Sequence, residues 1–300
     1  MYYILILIAV VLMALNLSMS KLFQSKLGNS ITASLLFISL SSLAISVIFF
    51  IFNGFKLEVT PFSALMAAIV SVLYCCYTMI GFKIFALGDF SIYTMFLMLG
   101  GMLLPYFFGI IFLDEGISIP RIIGVILLVV SMVFPVLSTS SKNKSSNKTL
   151  LFIFLCMVVF TLNGFVSITS KVHQVSELAT VSATSFTILS NGISGIIAGI
   201  LLIIICTVKK VKPLDQPLTK KLTAFIVTVV CVSAILNGSS YLLQLIGAAH
   251  VPASVLYPMS TGGSVVLTAV VGAVGFKEYP SKKHLIGLIL SFASTFLFLF

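Results

Sequence analysis

Long apolar runs alternate along this chain with short clusters of lysine, serine, asparagine and glycine. A membrane-spanning helix needs roughly 20 apolar residues, and lipid offers no partner to an unpaired backbone amide. The runs therefore predict helices, at about 2–20, 31–52, 62–85, 91–113, 119–138, 149–170, 180–207, 222–248, 252–275 and 283–300. They are too long for barrel strands, so the fold class is an all-α membrane protein of ten transmembrane helices. A Ser/Lys/Asn-rich linker over 141–148 separates a first five-helix unit, 1–140, from a second, 149–300.

The second unit repeats the first. Ser20, Lys21 and Gln24 close the first apolar run, and Ser170, Lys171 and Gln174 close the sixth, 150 residues later. Glu115 precedes Gly124 by nine residues, as Glu278 precedes Gly287. Working back from the glutamates, Gly109 matches Gly272 and Gly100 matches Gly263, now 163 residues apart. The longer loop at 209–221 accounts for the change of offset. Two like-folded units with an odd number of spans enter the membrane in opposite directions. The repeat is thus expected to be inverted, around a central cavity between the units, as in secondary transporters.

Composition excludes the soluble classes. The chain is 60% hydrophobic and 8% charged with a mean hydropathy of +1.24, whereas soluble domains carry about 25% charged residues. No loop is large enough for a soluble catalytic or DNA-binding module. The net charge of +10 is lysine spread over short loops, which reads as a topology signal and as contacts to membrane lipids, with no nucleic-acid partner expected. Fourteen lysines fall in loops on one side against Lys56, Arg121 and Lys171 on the other, which places both termini outside the cytoplasm. A multi-pass protein of the bacterial plasma (inner) membrane is expected. The five cysteines lie inside apolar runs without histidine partners, so free thiols are expected, with no metal and no cofactor. No Ser/His/Asp set, H-E-x-x-H or phosphate-binding glycine loop suggests an enzyme.

All seven acidic residues sit at helix ends or in loops. A carboxylate deep in the membrane, where proton and cation could compete, is therefore missing. Glu115 and Glu278 read as partners for the positive ends of helices 5 and 10. What the runs do contain is neutral polarity at helical spacing. Asn237, Tyr241 and Gln244 share one face of helix 8; Tyr74 and Tyr77, with Thr78 and Gly81, share one of helix 3. Asn163 and Ser167 in helix 6, Asn16 and Ser20 in helix 1, Tyr93 in helix 4, and Tyr257 and Thr261 in helix 9 complete the candidate substrate-binding set. The alternative is interhelical hydrogen bonding, worth about 0.6 kcal/mol apiece. Lys21 and Lys171 read by default as snorkelling to the interface, and their equivalence in the repeat also makes them candidate anion contacts at opposite mouths of the cavity. His250, at the end of helix 8, reads as a solvated interfacial residue. Gly195 and Gly199 form a G-x-x-x-G packing face.

The doubled pattern Gly109…Glu115…Ser118…Gly124 and Gly272…Glu278…Ser281…Gly287, with Pro252, Ala253 and Ser254 opening helix 9, resembles the EamA-like ten-helix branch of the drug/metabolite transporter superfamily. The resemblance covers nearly the whole chain. It implies export or exchange of small metabolites by alternating access, with helices 1–4 and 6–9 around the cavity and helices 5 and 10 peripheral. It also implies cytoplasmic termini, against the lysine count. The expected function is a secondary-active or facilitative transporter of an amino-acid-like metabolite. Multidrug or lipid-linked substrate export, suggested by 26 Phe, is the alternative, and a non-transporting scaffold or sensor is a third. A homodimer is left open.

Overall fold

The computed structural model describes the backbone of all residues except 1, 29, 86–89, 139–145, 215, 277–281 and 299. Side chains are described for these residues apart from 17, 21, 82–83, 85, 90–95, 132–138, 146–149, 268, 272, 275–276 and 282–284. The described residues form ten helices: α1 (Tyr2–Leu27), α2 (Ile31–Phe52), α3 (Pro61–Phe85), α4 (Phe90–Phe112), α5 (Ile119–Ser138), α6 (Ser146–Val175), α7 (Ala183–Lys209), α8 (Lys220–His250), α9 (Ala253–Phe276) and α10 (Lys282–Leu297). Seven, within α1, α2, α3, α6, α7, α8 and α9, are long and apolar enough to cross a membrane. Shorter apolar stretches occupy α4, α5 and α10. Large apolar side chains such as Val47, Phe154, Ile203, Val227 and Ile289 face outward, as a lipid-facing surface requires.

The helix ends follow local chemistry. Ser30 and Ser182 accept from the amides of Ala33 and Ser185, capping α2 and α7, and Thr219 accepts from Leu222 to cap α8. Pro61 opens α3, where its missing N–H costs nothing. The largest differences from the expected ends fall in α1 and α6. α1 runs to Leu27 rather than 20, stopping at Gly28 with φ +83°, and α6 runs to Val175 rather than 170. α6 also begins at Ser146, so the last residues of the expected 141–148 linker are helical. Polar residues end an apolar run without ending a helix, because the backbone ladder does not depend on side-chain polarity.

The helices pack in a pattern that survives exchanging each with the one five places on. α1 on α8 is matched by α6 on α3, α4 on α6 by α9 on α1, and α3 on α7 by α8 on α2. The pairs α2·α7, α4·α9 and α5·α10 map onto themselves. α5 and α10 lie against each other and reach the bundle through α4 and α9. Small residues set the close crossings. A methyl at Gly100 of α4 would collide with the Phe160 carbonyl of α6, and Gly195 and Gly199 of α7 receive Leu43 and Ser39 of α2. Some contacts break the pattern: α6 packs on α8, and more weakly α7 on α8, α1 on α2 and α5 on α9, while among the described residues the exchanged pairs have no comparable contact.

Candidate functional site

A cavity of about 450 Å³ lies inside the bundle, walled by α1, α3 and α4 from the first half and α6, α7, α8 and α9 from the second. From α8 come Asn237, Tyr241 and Gln244, the three residues set on one face by their spacing. α3 contributes Tyr74 and Tyr77, whose rings meet edge to face at 5.4 Å, and α6 contributes Asn163 and Ser167. Tyr257 and Thr261 line it from α9. No Asp, Glu, Lys, Arg or His is among the described lining residues.

Fixed hydrogen bonds hold the wall in shape. Asn163 Nδ2 donates to Leu97 O of α4 at 2.8 Å, beside Gly101, whose lack of a side chain makes room for the amide. Tyr257 donates its hydroxyl proton to Ser167 O at 2.7 Å, tying α9 to α6. Tyr241 and Ser170 share a hydrogen bond at 3.2 Å. Gln244 Nε2 donates to Ser240 Oγ, and Ser240 in turn donates to Ala9 O of α1 at 2.7 Å. Each pair joins two helices or locks a side chain at the wall.

Several sequence-based expectations are corrected. Asn16 and Ser20 do not line the cavity. Asn16 Oδ1 accepts from Ser233 Oγ of α8 at 2.6 Å, and Ser20 donates to the Asn16 carbonyl of its own helix. A polar pair at helical spacing served helix packing there, and Met13 is the α1 residue at the wall. Thr78 likewise turns back to Tyr74 O. The side chains of Lys21 and Tyr93, and Glu278 altogether, lie outside the described residues. The α7 contribution, Ser190, Asn191 and Ser194, was missed. Its i, i+1, i+4 spacing was a weak signal, since single serines so often bond their own helix.

Lys171 neither snorkels nor lines the cavity. It is 3% exposed, and its Nζ donates to Ala248 O at 2.7 Å and Val251 O at 2.8 Å, the last carbonyls of α8. These lack helical partners, and a cation at a helix C-terminus also meets the negative end of its dipole. Two residues later α9 begins, and Glu115 serves its other pole. The carboxylate accepts from Ala253 N at 2.6 Å and Ser254 N at 2.8 Å. Glu115 thus caps α9, not α5 as expected from its place in the chain. A Cβ at Gly109 would lie 2.5 Å from Glu115 Oε2, so the glycine of the repeated Gly–Glu spacing clears the path for this carboxylate.

Two residues after Lys171 comes His173, buried between the rings of Phe186 (3.9 Å) and Phe62 (6.0 Å). Its Nε2 is 2.8 Å from Ser63 Oγ and its Nδ1 is 3.0 Å from Gln174 Nε2. Ser63 also accepts from Val181 N, so α3, α6 and the segment leading into α7 meet at one hydroxyl. His250, by contrast, is exposed and stacks on Tyr2 at 4.1 Å. The four described acidic residues, Glu58, Asp114, Glu115 and Glu177, all lie in interhelical segments.

A solved structure carrying the description "Crystal structure of protein" is similar to the chain with a TM-score of 0.72 and 12% identity, over 99% of this chain and 94% of that one, which is a likeness of fold alone. No curated protein matches the chain in sequence. The model of the EamA-like transporter family matches residues 147–300, slightly more than half of the chain. With that match the doubled glycine–glutamate pattern and the helical bundle have a common explanation: the chain is an integral, multi-pass membrane protein that belongs to the EamA-like transporter family of the drug/metabolite transporter superfamily.

Proposed function

We propose that the protein is a secondary-active or facilitative carrier of a small amino-acid-like metabolite, working by alternating access between two inverted five-helix units, 1–140 and 149–300. The carrying observation is the charge-free polar cavity walled by helices of both halves, large enough for such a solute. The helix contacts that survive exchange of α1–α5 with α6–α10 support the inverted repeat. The largest departure from that exchange, α6 on α8 without a comparable α1 on α3, supports a cavity shut at the Lys171 end and accessible from the lysine-rich end. By the lysine rule that end faces the cytoplasm of a bacterial plasma membrane, the side from which an exporter or exchanger loads.

A wall without a carboxylate favours exchange or facilitated diffusion over proton antiport. Counterflow in proteoliposomes with pooled amino acids and nucleosides, with and without a pH gradient, tests both statements. Exchange of an amino-acid pool insensitive to the gradient is the expected result. Absence of exchange for every pool would remove the carrier reading, and strong pH-driven uptake would remove the coupling argument.

A further inference from the structure

The hydrogen-bond directions at the cavity wall carry more than its neutrality. A main-chain carbonyl can only accept, so it fixes the orientation of whatever donates to it. Asn163 must turn its NH2 to Leu97 O, and Asn191 must turn its own to Thr187 O at 2.9 Å. Ser240 gives its proton to Ala9 O, so Gln244 can meet that hydroxyl only with its nitrogen. The hydroxyl protons of Tyr257 and Ser194 go to Ser167 O and Ser190 O. In each case the donor is committed to the protein, and apart from Ser240, whose oxygen takes the Gln244 nitrogen, no donor among the described residues is supplied to the oxygen left behind. Pro105 adds to the same side, since without an N–H it leaves the carbonyl of Gly101, a lining residue, without its helical partner.

The wall therefore offers several acceptors that no described protein donor fills. Each committed amide keeps one N–H, and among the described residues neither Asn237 nor the Ser260 hydroxyl has a protein partner and no cationic donor faces the cavity. Lys171, one position from the lining Ser170, is committed to Ala248 O and Val251 O. A carboxylate entering this space finds only neutral N–H and O–H donors and no cation among the described residues to balance its charge. An ammonium brings three donors and no acceptor, and finds the faces of Tyr74, Tyr77, Tyr241 and Tyr257 as well.

We infer that the cavity recognises its substrate through a protonated amino group and makes little use of a carboxylate on the same molecule. This rests on the carrier reading above and narrows it to substrates in which the amine is the required feature. Leucine, leucinamide and N-acetylleucine separate the two groups. Binding to the purified full chain in detergent is measured by titration calorimetry, alongside counterflow in proteoliposomes. Leucinamide is expected to bind at least as tightly as leucine, and N-acetylleucine at least about tenfold more weakly, the loss expected for charge-assisted hydrogen bonds. Gln244→Met and Asn191→Leu, of similar volume but without the amide oxygen, are each expected to weaken leucinamide by about tenfold. N-acetylleucine binding as tightly as leucinamide, or no binding by any of the three, would overturn the inference on the unmodified protein, whatever the variants do. The expected ranking without counterflow would sink the carrier reading and leave the inference standing. Counterflow that accepts N-acetylleucine as readily as leucinamide would do the reverse.

Discussion

The chain offers its own controlled comparison in Phe23 and His173, which stand 150 residues apart at the same register of α1 and α6. Both are buried rings packed on a phenylalanine of the following helix, Phe23 tilted against Phe37 at 4.6 Å and His173 stacked on Phe186 at 3.9 Å. Around Phe23 the packing is apolar, with Leu27, Ala33, Ile226, Val229 and Val230. Around His173 the same shape carries directed bonds to Ser63 and Gln174. One end of the bundle is held by dispersion, which tolerates small slides, and the other by hydrogen bonds that fix position. The difference teaches that two segments matched in sequence need not pack by the same physics.

Exchanging these residues is the sharpest way to break that comparison. Phe23→His buries an imidazole among described neighbours that are apolar and should cost about 3 kcal/mol. Thermal unfolding of the detergent-solubilised protein reads it, and an unchanged midpoint would mean that the Phe23 end is wet rather than apolar. Lys171→Met strips two carbonyls of a charged donor while relieving a buried charge, for a net loss of about 2 kcal/mol by the same assay. A variant as stable as the parent would show that water replaces the ammonium. The reverse exchange, His173→Phe, keeps the ring and loses two hydrogen bonds, about 1 kcal/mol. Hydrogen exchange at Val181 N should rise with it, and flat protection there would deny Ser63 its role as a shared anchor. Smallest is Tyr257→Phe, about 0.6 kcal/mol of stability. Its effect should surface instead as altered counterflow, and unaltered flux would leave the α9–α6 tie purely structural.

The helices were legible because twenty apolar residues in a row admit few other structures. Their ends were not: in Ser20–Gln24 and Ser170–Gln174 hydropathy falls while the backbone ladder continues. In the cavity, the spacing of Asn237, Tyr241 and Gln244 stood out because large amides are costly to bury. Ser190 and Ser194 gave no such signal, since each bonds a carbonyl of its own helix. Asn16 gave a false one, because its partner Ser233 lies 217 residues away. The glycine-to-glutamate spacing was visible, but not that Glu115 reaches 138 residues onward to cap α9. Pairings at that distance leave no mark in local pattern.

The α8–α9 junction has a mechanical consequence. Only residues 251 and 252 separate the two helices, and an ammonium grips the end of one while a carboxylate grips the start of the next. Bending that elbow would break four charged bonds together, so it behaves as a riveted corner rather than a hinge. Because the rivets are driven from α6 and from the segment after α4, torque on either should turn α8 and α9 as one lever and carry the tyrosines and amides on both arms with it.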